Sequence, residues 1–360
     1  MTTNMNRNLN YLFDFDDLLI EPAILSNIRS RSEITSRYEH GNLPLMTAPM
    51  DTVISPDNVQ HFIDNGIIPV LPRGTEYTNP NPDQFLFKSY GLDEFEKIFL
   101  NEMVSTEHKI YALIDIANGH MSHLYDVAKK AKRRYGTDMV LMVGNVANPF
   151  TYEEYSKIEV DYVRIGIGNG NGCLTTVQTG VGFPMASLID QCKQIKRKNN
   201  FKTKIVADGG FKKYSDVVKA LGLGADYVML GSMFNKALES AGETIYYEQE
   251  TPMTIKQRVI IDQYGEEAKE RFSVGSPLFK TFRGMSTKEV QKAWGRTELK
   301  TSEGIVKTQQ VEYTLSGWTH NFESYLKSAM SYSGKQELPH FIGGAQINII
   351  SQNSFLRFSK

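Results

Sequence analysis

The sequence predicts a (β/α)8 barrel. Three observations predict it: strand-length apolar runs recur along the 360 residues, stretches with helical spacing separate them, and glycines and polar residues gather where the runs end. Strands buried on both faces read as unbroken apolar runs rather than alternating ones. Strand and helix in alternation imply a parallel sheet. In a barrel the functional residues sit at the C-terminal ends of the strands. A doubly wound open sheet is the structural alternative.

The elements follow in order. The runs are Leu43–Thr47, Gly66–Leu71, Lys109–Asp115, Asp138–Gly144, Tyr162–Gly168, Lys204–Gly210 and Tyr227–Met233, with an eighth expected near Lys280–Gly284. Helical spacing appears over Pro56–Asn65, His120–Tyr135, Tyr152–Ile158, Met185–Lys198 and Tyr214–Leu221. The length somewhat exceeds the ~250 residues of a typical barrel. Ser286–Tyr313 is polar and weakly periodic, and lies where a barrel enzyme carries a mobile loop over its site. No Pro/Gly/Ser-rich linker and no repeat divides the chain, so residues 1–360 are expected as one barrel domain with a short flap around 286–313. The basic run Lys129–Arg134 reads as a solvated helix face.

Composition narrows the function. Forty Lys+Arg against 41 Asp+Glu give a formal charge of −1, which argues against coating nucleic acid or a membrane surface. An apolar fraction of 41% is enough for a core at this length. Two cysteines cannot make a disulfide scaffold and suit a reducing compartment. No stretch approaches the roughly 18 apolar residues of a membrane span. The opening MTTNMNRNLN lacks an apolar signal core. The expectation is a soluble cytoplasmic protein.

The strand ends carry the chemistry: Ala48–Val53 (APMDTV), Pro72–Gly74, Asp115–Gly119 (DIANG), Gly144–Val146 (GNV), Gly166–Thr176 (GIGNGNGCLTT), Asp208–Gly210 (DGG) and Gly231–Met233 (GSM). The densest is Gly166–Thr176. It is not a dinucleotide fingerprint, because the third glycine of that pattern falls on Asn171 or Cys173, and Asp190 lies in an apparent helix. Nor is it a P-loop, since no Gly-Lys-Ser/Thr follows. Cys173, on a glycine-rich strand end beside hydroxyls, reads equally as a nucleophile or as a small buried hydrophobe. Cys192 reads as packing. Asp208-Gly209-Gly210 and Gly231-Ser232, ending the sixth and seventh runs, suit an anion site of backbone N–H groups, with the Asp placed to grip a ribose diol. Ordinary βα turns with capping residues are the alternative. His120 and His123 form the only close histidine pair, and no HExxH, CxxC or G-x-S-x-G motif exists.

Taken together, these motifs resemble the IMP dehydrogenase/GMP reductase family over nearly the whole chain. The resemblance starts at Phe15–Pro22 (FDDLLIEP) and APMDTV. It runs through Asp115–Gly119, Gly166–Thr176, Ala207–Gly210 and Met229–Met233, and ends at Phe282–Ser286 (FRGMS) and Ser302–Ile305 (SEGI). It implies a (β/α)8 barrel, usually a homotetramer, acting on a purine nucleotide. It implies that Cys173 attacks purine C2 and that Thr175 assists proton transfer. Asp208 would bind the ribose, and Asn171, Gly209, Gly210, Gly231 and Ser232 the rest of the nucleotide up to its 5′-phosphate. Met285 and Ser286 would meet the base. Asp115, Asn118, Gly166 and Gly168 would line the cofactor side, and carbonyls of Gly168, Gly170 and Cys173 would suit K⁺ as in some relatives.

The resemblance is closer to GMP reductase, which uses NADPH to convert GMP to IMP and ammonia. About 15 residues separate Ser286 from Ser302, short for the water-activating flap of a dehydrogenase. Pro72–Glu107 is too short for a regulatory CBS pair, and Thr175–Pro184 (TTVQTGVGFP) has the reductase form. Glu289 is the candidate for helping ammonia leave. There are departures. Lys288 stands where that glutamate is expected, Asn171 where a phosphate-binding serine is common, and Met185 where a glutamine is usual. Pro72–Tyr77 (PRGTEY) lacks the usual His-Lys segment, and APMDTV has the dehydrogenase form. The alternatives are an IMP dehydrogenase-like enzyme using NAD, with Arg296 as the only flap arginine, and a purine-nucleotide-binding protein without turnover.

Overall fold

The computed structural model describes residues 11–81, 84–102, 104, 107–248, 257–284, 287 and 304–358. Eight parallel strands form the barrel: β2 (Leu45–Thr47), β3 (Val70–Leu71), β4 (Phe87–Tyr90), β5 (Ile110–Asp115), β6 (Met139–Val146), β7 (Tyr162–Ile165), β8 (Lys204–Asp208) and β9 (Tyr227–Leu230). The strands pair in chain order from β3 to β9, and β9 pairs with β2. The ring closes between β2 and β3. There Thr47 N donates to Ile68 O at 3.0 Å, and Thr47 Oγ1 accepts from Val70 N at 2.8 Å. Before the barrel, β1 (Leu18–Ile20) pairs antiparallel with β14 (Ile347–Ile349) near the other end of the chain.

Seven of the eight expected barrel runs are barrel strands. The eighth is not. Phe279–Arg283 (β12) belongs to a separate antiparallel sheet with β10 (Thr244–Glu248), β11 (Gln257–Ile261) and β13 (Val306–Gln310). The barrel strand in its place is β4, with sequence FKSY. Its only large inward apolar group is Phe87, so it does not read as an apolar run. The DGG and GSM turns therefore end the seventh and eighth barrel strands, where barrels often hold phosphate.

The helices follow the predicted segments closely. Ser122–Tyr135 carries the basic run in its last turns, where cations complement the helix dipole. There Lys132 pairs with Asp161 at 2.7 Å, and Arg134 donates to Phe99 O and Leu100 O. Pro149–Lys157 starts earlier than the periodicity suggested, because Asn148 caps it and Pro149 occupies its first turn. Met185–Asn199 and Tyr214–Leu223 pack on the sheet's outer face. Leu315–Tyr332, beyond the predicted helical segments, buries Trp318, Phe322 and Leu326 in the same layer. No helix among the described residues is long and apolar enough to cross a membrane.

The barrel interior is layered, because every second strand residue points inward. Met46, Val70, Phe87, Leu113, Met142, Val206 and Met229 fill its middle. Towards the strands' N-terminal ends the layer is aromatic, with Tyr111, Tyr162, Tyr227 and, before β4, Phe85. Two residues beyond the middle lie Asp115 on β5 and Asp208 on β8, with Arg164 between them on β7.

Candidate active site

Arg164 organises the C-terminal mouth. It is 9% exposed and bonds two carboxylates, with Nη1 donating to Asp115 Oδ1 at 2.5 Å and Nε to Asp208 Oδ2 at 2.9 Å. Burial works against the guanidinium, but the two carboxylates outweigh it and raise its pKa. Asn145, at the end of β6, donates to the same Asp208 oxygen at 2.8 Å and to Gly166 O at 2.9 Å. Asp208 is thus fixed through Oδ2. Asn145 falls in the GNV strand end, whereas Arg164 lies in none of the sequence motifs. The available signal was an arginine inside an apolar strand, since a buried charge requires partners.

Cys173 lies on the loop after β7, partly exposed. Its Sγ–H donates to Thr175 Oγ1 at 3.2 Å, and its backbone N donates to Gly170 O at 3.0 Å. The antiparallel sheet braces this loop from the other side. Ile305 N donates to Gly172 O at 3.2 Å, Gly284 N donates to Ile305 O at 2.9 Å, and Cys173 bridges to Gly304. The sheet is itself anchored to the barrel. Asn235 Nδ2 donates to Thr52 O and Thr281 O, Gln309 donates to Asn235 Oδ1, and Arg283 pairs with Asp51. The FRG and APMD segments therefore meet directly. Cys192 is different: it is fully buried, and burial pushes its thiol far up. That is an inert packing residue.

Gly209 and Gly210 both adopt φ of +89°, a region L side chains avoid. A Cβ on Gly209 would sit 2.9 Å from Gly170 N, so the DGG turn and the Cys173 loop touch through bare backbone. Gly231 ends β9, and Ser232 opens the helix Ser232–Asn235. Both are partly exposed, and both follow the strand beside β8. Asn171 is exposed on the Cys173 loop. Gly168 faces Thr176 with no room for a Cβ, and buried Met185 packs under Gly166. Asn118 is exposed, and its Oδ1 accepts from His120 N at 3.2 Å.

The structure thus brings Cys173, Thr175, Asp208, Gly209, Gly210 and Asp115 to one mouth. Met285, Ser286, Lys288, Glu289 and Arg296 lie outside the described residues, as does most of the expected flap. Its later part, Val306–Gln310, is β13. Among the described residues no cluster of three or more His, Cys, Asp or Glu can hold a metal. His120 serves the structure: Ala147 N donates to its Nε2 at 3.0 Å, and its Nδ1 contacts Thr151 Oγ1 at 2.9 Å. His123 contacts Glu96 at 3.0 Å.

A family model described as "IMP dehydrogenase / GMP reductase domain" matches residues 100–357. GMP reductase 2 of Homo sapiens is 29% identical over 298 residues, covering 75% of this chain and 83% of that protein. GMP reductase of Aliivibrio fischeri is 32% identical over 294 residues, with the same coverage of each. GMP reductase of Shewanella halifaxensis is 30% identical over 295 residues, again covering 75% and 83%. The matched span runs from β5 through β14, and so includes the Cys173 loop, the DGG turn and the sheet that braces them. The chain belongs to the IMP dehydrogenase/GMP reductase family of oxidoreductases.

Proposed function

We propose that this protein is a GMP reductase, converting GMP to IMP and ammonia with NADPH. The observation that carries the reading is Cys173 hydrogen-bonded to Thr175 on a loop that touches the DGG turn. Purine C2 is a weak electrophile, so a thiolate is the suitable nucleophile, and a covalent adduct divides one hard displacement into two easier ones. Cys173 Sγ adds to C2, and Thr175 Oγ1 holds the proton that moves between sulfur and the departing amine. The 2-amino group takes up protons and leaves as ammonia. A reduced nicotinamide, when bound, supplies hydride to C2. Breaking the C–S bond then returns the thiolate and releases IMP.

The other residues position the nucleotide. Asp208, held through Oδ2 by Arg164 and Asn145, offers its second oxygen to the ribose hydroxyls. Backbone N–H groups of Gly209, Gly210 and Gly231, with Ser232, receive the 5′-phosphate. Asn171 adds an amide donor. Met285 and Ser286 meet the base, and Glu289 assists the amine. The cofactor side fits its ligand in donor chemistry. Asn118 keeps its amide N–H groups for a carboxamide oxygen, because among the described residues only its Oδ1 is engaged, and Asp115, Gly166 and Gly168 complete that wall. Potassium at the carbonyls of Gly168, Gly170 and Cys173 belongs to the same reading. So do a single catalytic domain over 1–360, a homotetramer and a cytoplasmic setting. Exposed Ile24 and Leu25 offer apolar surface for assembly.

The test is nicotinamide absorbance with GMP plus NADPH against IMP plus NAD⁺, with Cys173→Ala alongside. NADPH oxidation with GMP, lost by at least about 10³-fold in the variant while GMP still binds, is the expected result. NADH formation from IMP establishes the dehydrogenase direction instead. Nucleotide binding without turnover in either assay establishes a binding protein.

A further inference from the structure

The opposite end of the barrel carries two adjoining cavities that the reaction does not use, one at the mouth and one on the outer wall beside it, where Leu71 and Leu86 lie. One, of about 480 Å³, is lined by His40, Asn42, Asn81, Gln84, Phe85, Tyr111, Val140 and Tyr162. That volume lies within the roughly 300–1,000 Å³ of small-molecule sites. Its wall is aromatic. The Phe85 ring lies 5.0 Å from Tyr111 and 6.2 Å from Tyr162. The His40 ring stands edge-on to Phe85 at 5.6 Å and parallel to Tyr38 at 5.8 Å. Burial pushes the His40 pKa below its usual value, so at neutral pH it offers an uncharged ring. The amides of Asn42 and Gln84 supply both donors and acceptors beside these rings.

The second cavity, of about 220 Å³, adjoins the first at Gln84 and Tyr111, which line both. It is basic, with Lys88, Lys109 and His108 in its wall. No carboxylate among the described residues lines either cavity. Flat rings with amides suit a planar heteroaromatic base, through stacking that does not depend on base identity. Lysines beside a histidine, with no carboxylate among the described lining residues, suit a phosphate.

We propose that this mouth is a second nucleotide site, taking a free nucleoside monophosphate with its base on Tyr111, Tyr162 and Phe85 and its phosphate at Lys88 and Lys109. The site lies at the starts of β4 to β7, away from the strand ends that carry Cys173 and Asp208, and it is independent of which reaction those groups perform.

The experiment is calorimetric titration with AMP, adenosine and inorganic phosphate, with GMP turnover as a separate readout of the catalytic mouth. AMP binds at one site per chain, and adenosine and phosphate each bind at least about tenfold more weakly. The double change Lys88→Glu and Lys109→Glu weakens AMP at least about tenfold and leaves GMP turnover unchanged. Tyr162→Leu weakens AMP similarly, and if that variant does not fold the charge reversal decides alone. The proposal is overturned if AMP shows no binding up to about 5 mM. Equal binding of AMP by the wild type and the charge-reversed variant overturns it too, as does adenosine binding as tightly as AMP. Failure of GMP turnover with intact AMP binding would count against the catalytic reading alone.

Discussion

Tyr162 and Arg164 are two residues apart on β7 and face the same barrel interior, yet they serve opposite mouths. Tyr162 belongs to a layer of rings, with Phe87 at 5.4 Å and Tyr227 at 5.8 Å. Arg164 belongs to a layer of charge, tied to Asp115 and Asp208. The difference shows how a parallel barrel separates two chemistries along one axis. A ring in the aromatic layer contributes by area and contact, and its neighbours accommodate substitution by repacking. A charge in the polar layer depends on named partners, and its loss leaves them unpaired. At the catalytic end two loops also meet through bare backbone, as at Gly209 against Gly170.

The sharpest test of this contrast replaces one residue from each layer. Arg164→Leu leaves two carboxylates without their shared guanidinium. We expect a loss of about 3–5 kcal/mol in stability, read by denaturant unfolding, together with loss of turnover. Tyr162→Leu is expected to lower stability while keeping kcat per folded molecule within about twofold. Equal losses of turnover in the two variants would break the comparison.

Next in size is Gly209→Ala. The alanine must hold a positive φ and place its Cβ against Gly170 N, at a cost of about 1–3 kcal/mol. Because the strain falls where the DGG turn meets the Cys173 loop, KM for GMP is expected to rise about tenfold. An unchanged KM would remove this turn from nucleotide binding.

The smallest effect concerns Lys280, which sits fully buried in the sheet that covers the catalytic mouth. Unlike Arg164, it has carbonyl partners rather than carboxylate ones: Nζ donates to Ser240 O at 2.8 Å and Gly242 O at 3.2 Å. Burial pushes its pKa down to about 7. The unfolded chain keeps that proton up to about pH 10.4. Between those values the unfolded state binds more protons, so this group makes stability rise with pH above about 7. Lys280→Met is expected to flatten that rise, measured as the difference in melting temperature between about pH 7 and pH 9. An identical pH dependence in the variant would show that Lys280 is charged in the folded protein.

Much of this was legible in the residues. Gly166–Thr176, DGG and APMDTV mark strand ends by composition alone, and they do end strands. What stayed hidden depends on neighbours in space. FKSY does not read as a buried strand, because only Phe87 enters the apolar middle layer. Lys280–Gly284 reads as a strand and is one, but its antiparallel partners are set by long-range pairing that its own residues do not encode. Arg164 was visible as a charge within an apolar run, but Asp115 and Asp208, 49 and 44 residues away, become its partners only once the barrel closes. The aromatic mouth was likewise invisible, since Tyr111, Tyr162 and Tyr227 come from three separate strands.

The pairing of β1 with β14 also bears on the order in which the protein is made. Leu18 emerges from the ribosome about 330 residues ahead of its partner Ile349. At about 5–20 residues per second, β1 waits tens of seconds for its partner strand. The barrel strands β2 to β9 are synthesised and can close during that interval. The β1–β14 clasp therefore forms only after all eight barrel strands have been made. A nascent chain stalled before residue 347 would carry a closed ring and an unpaired first strand, ready to join a neighbouring polysome product.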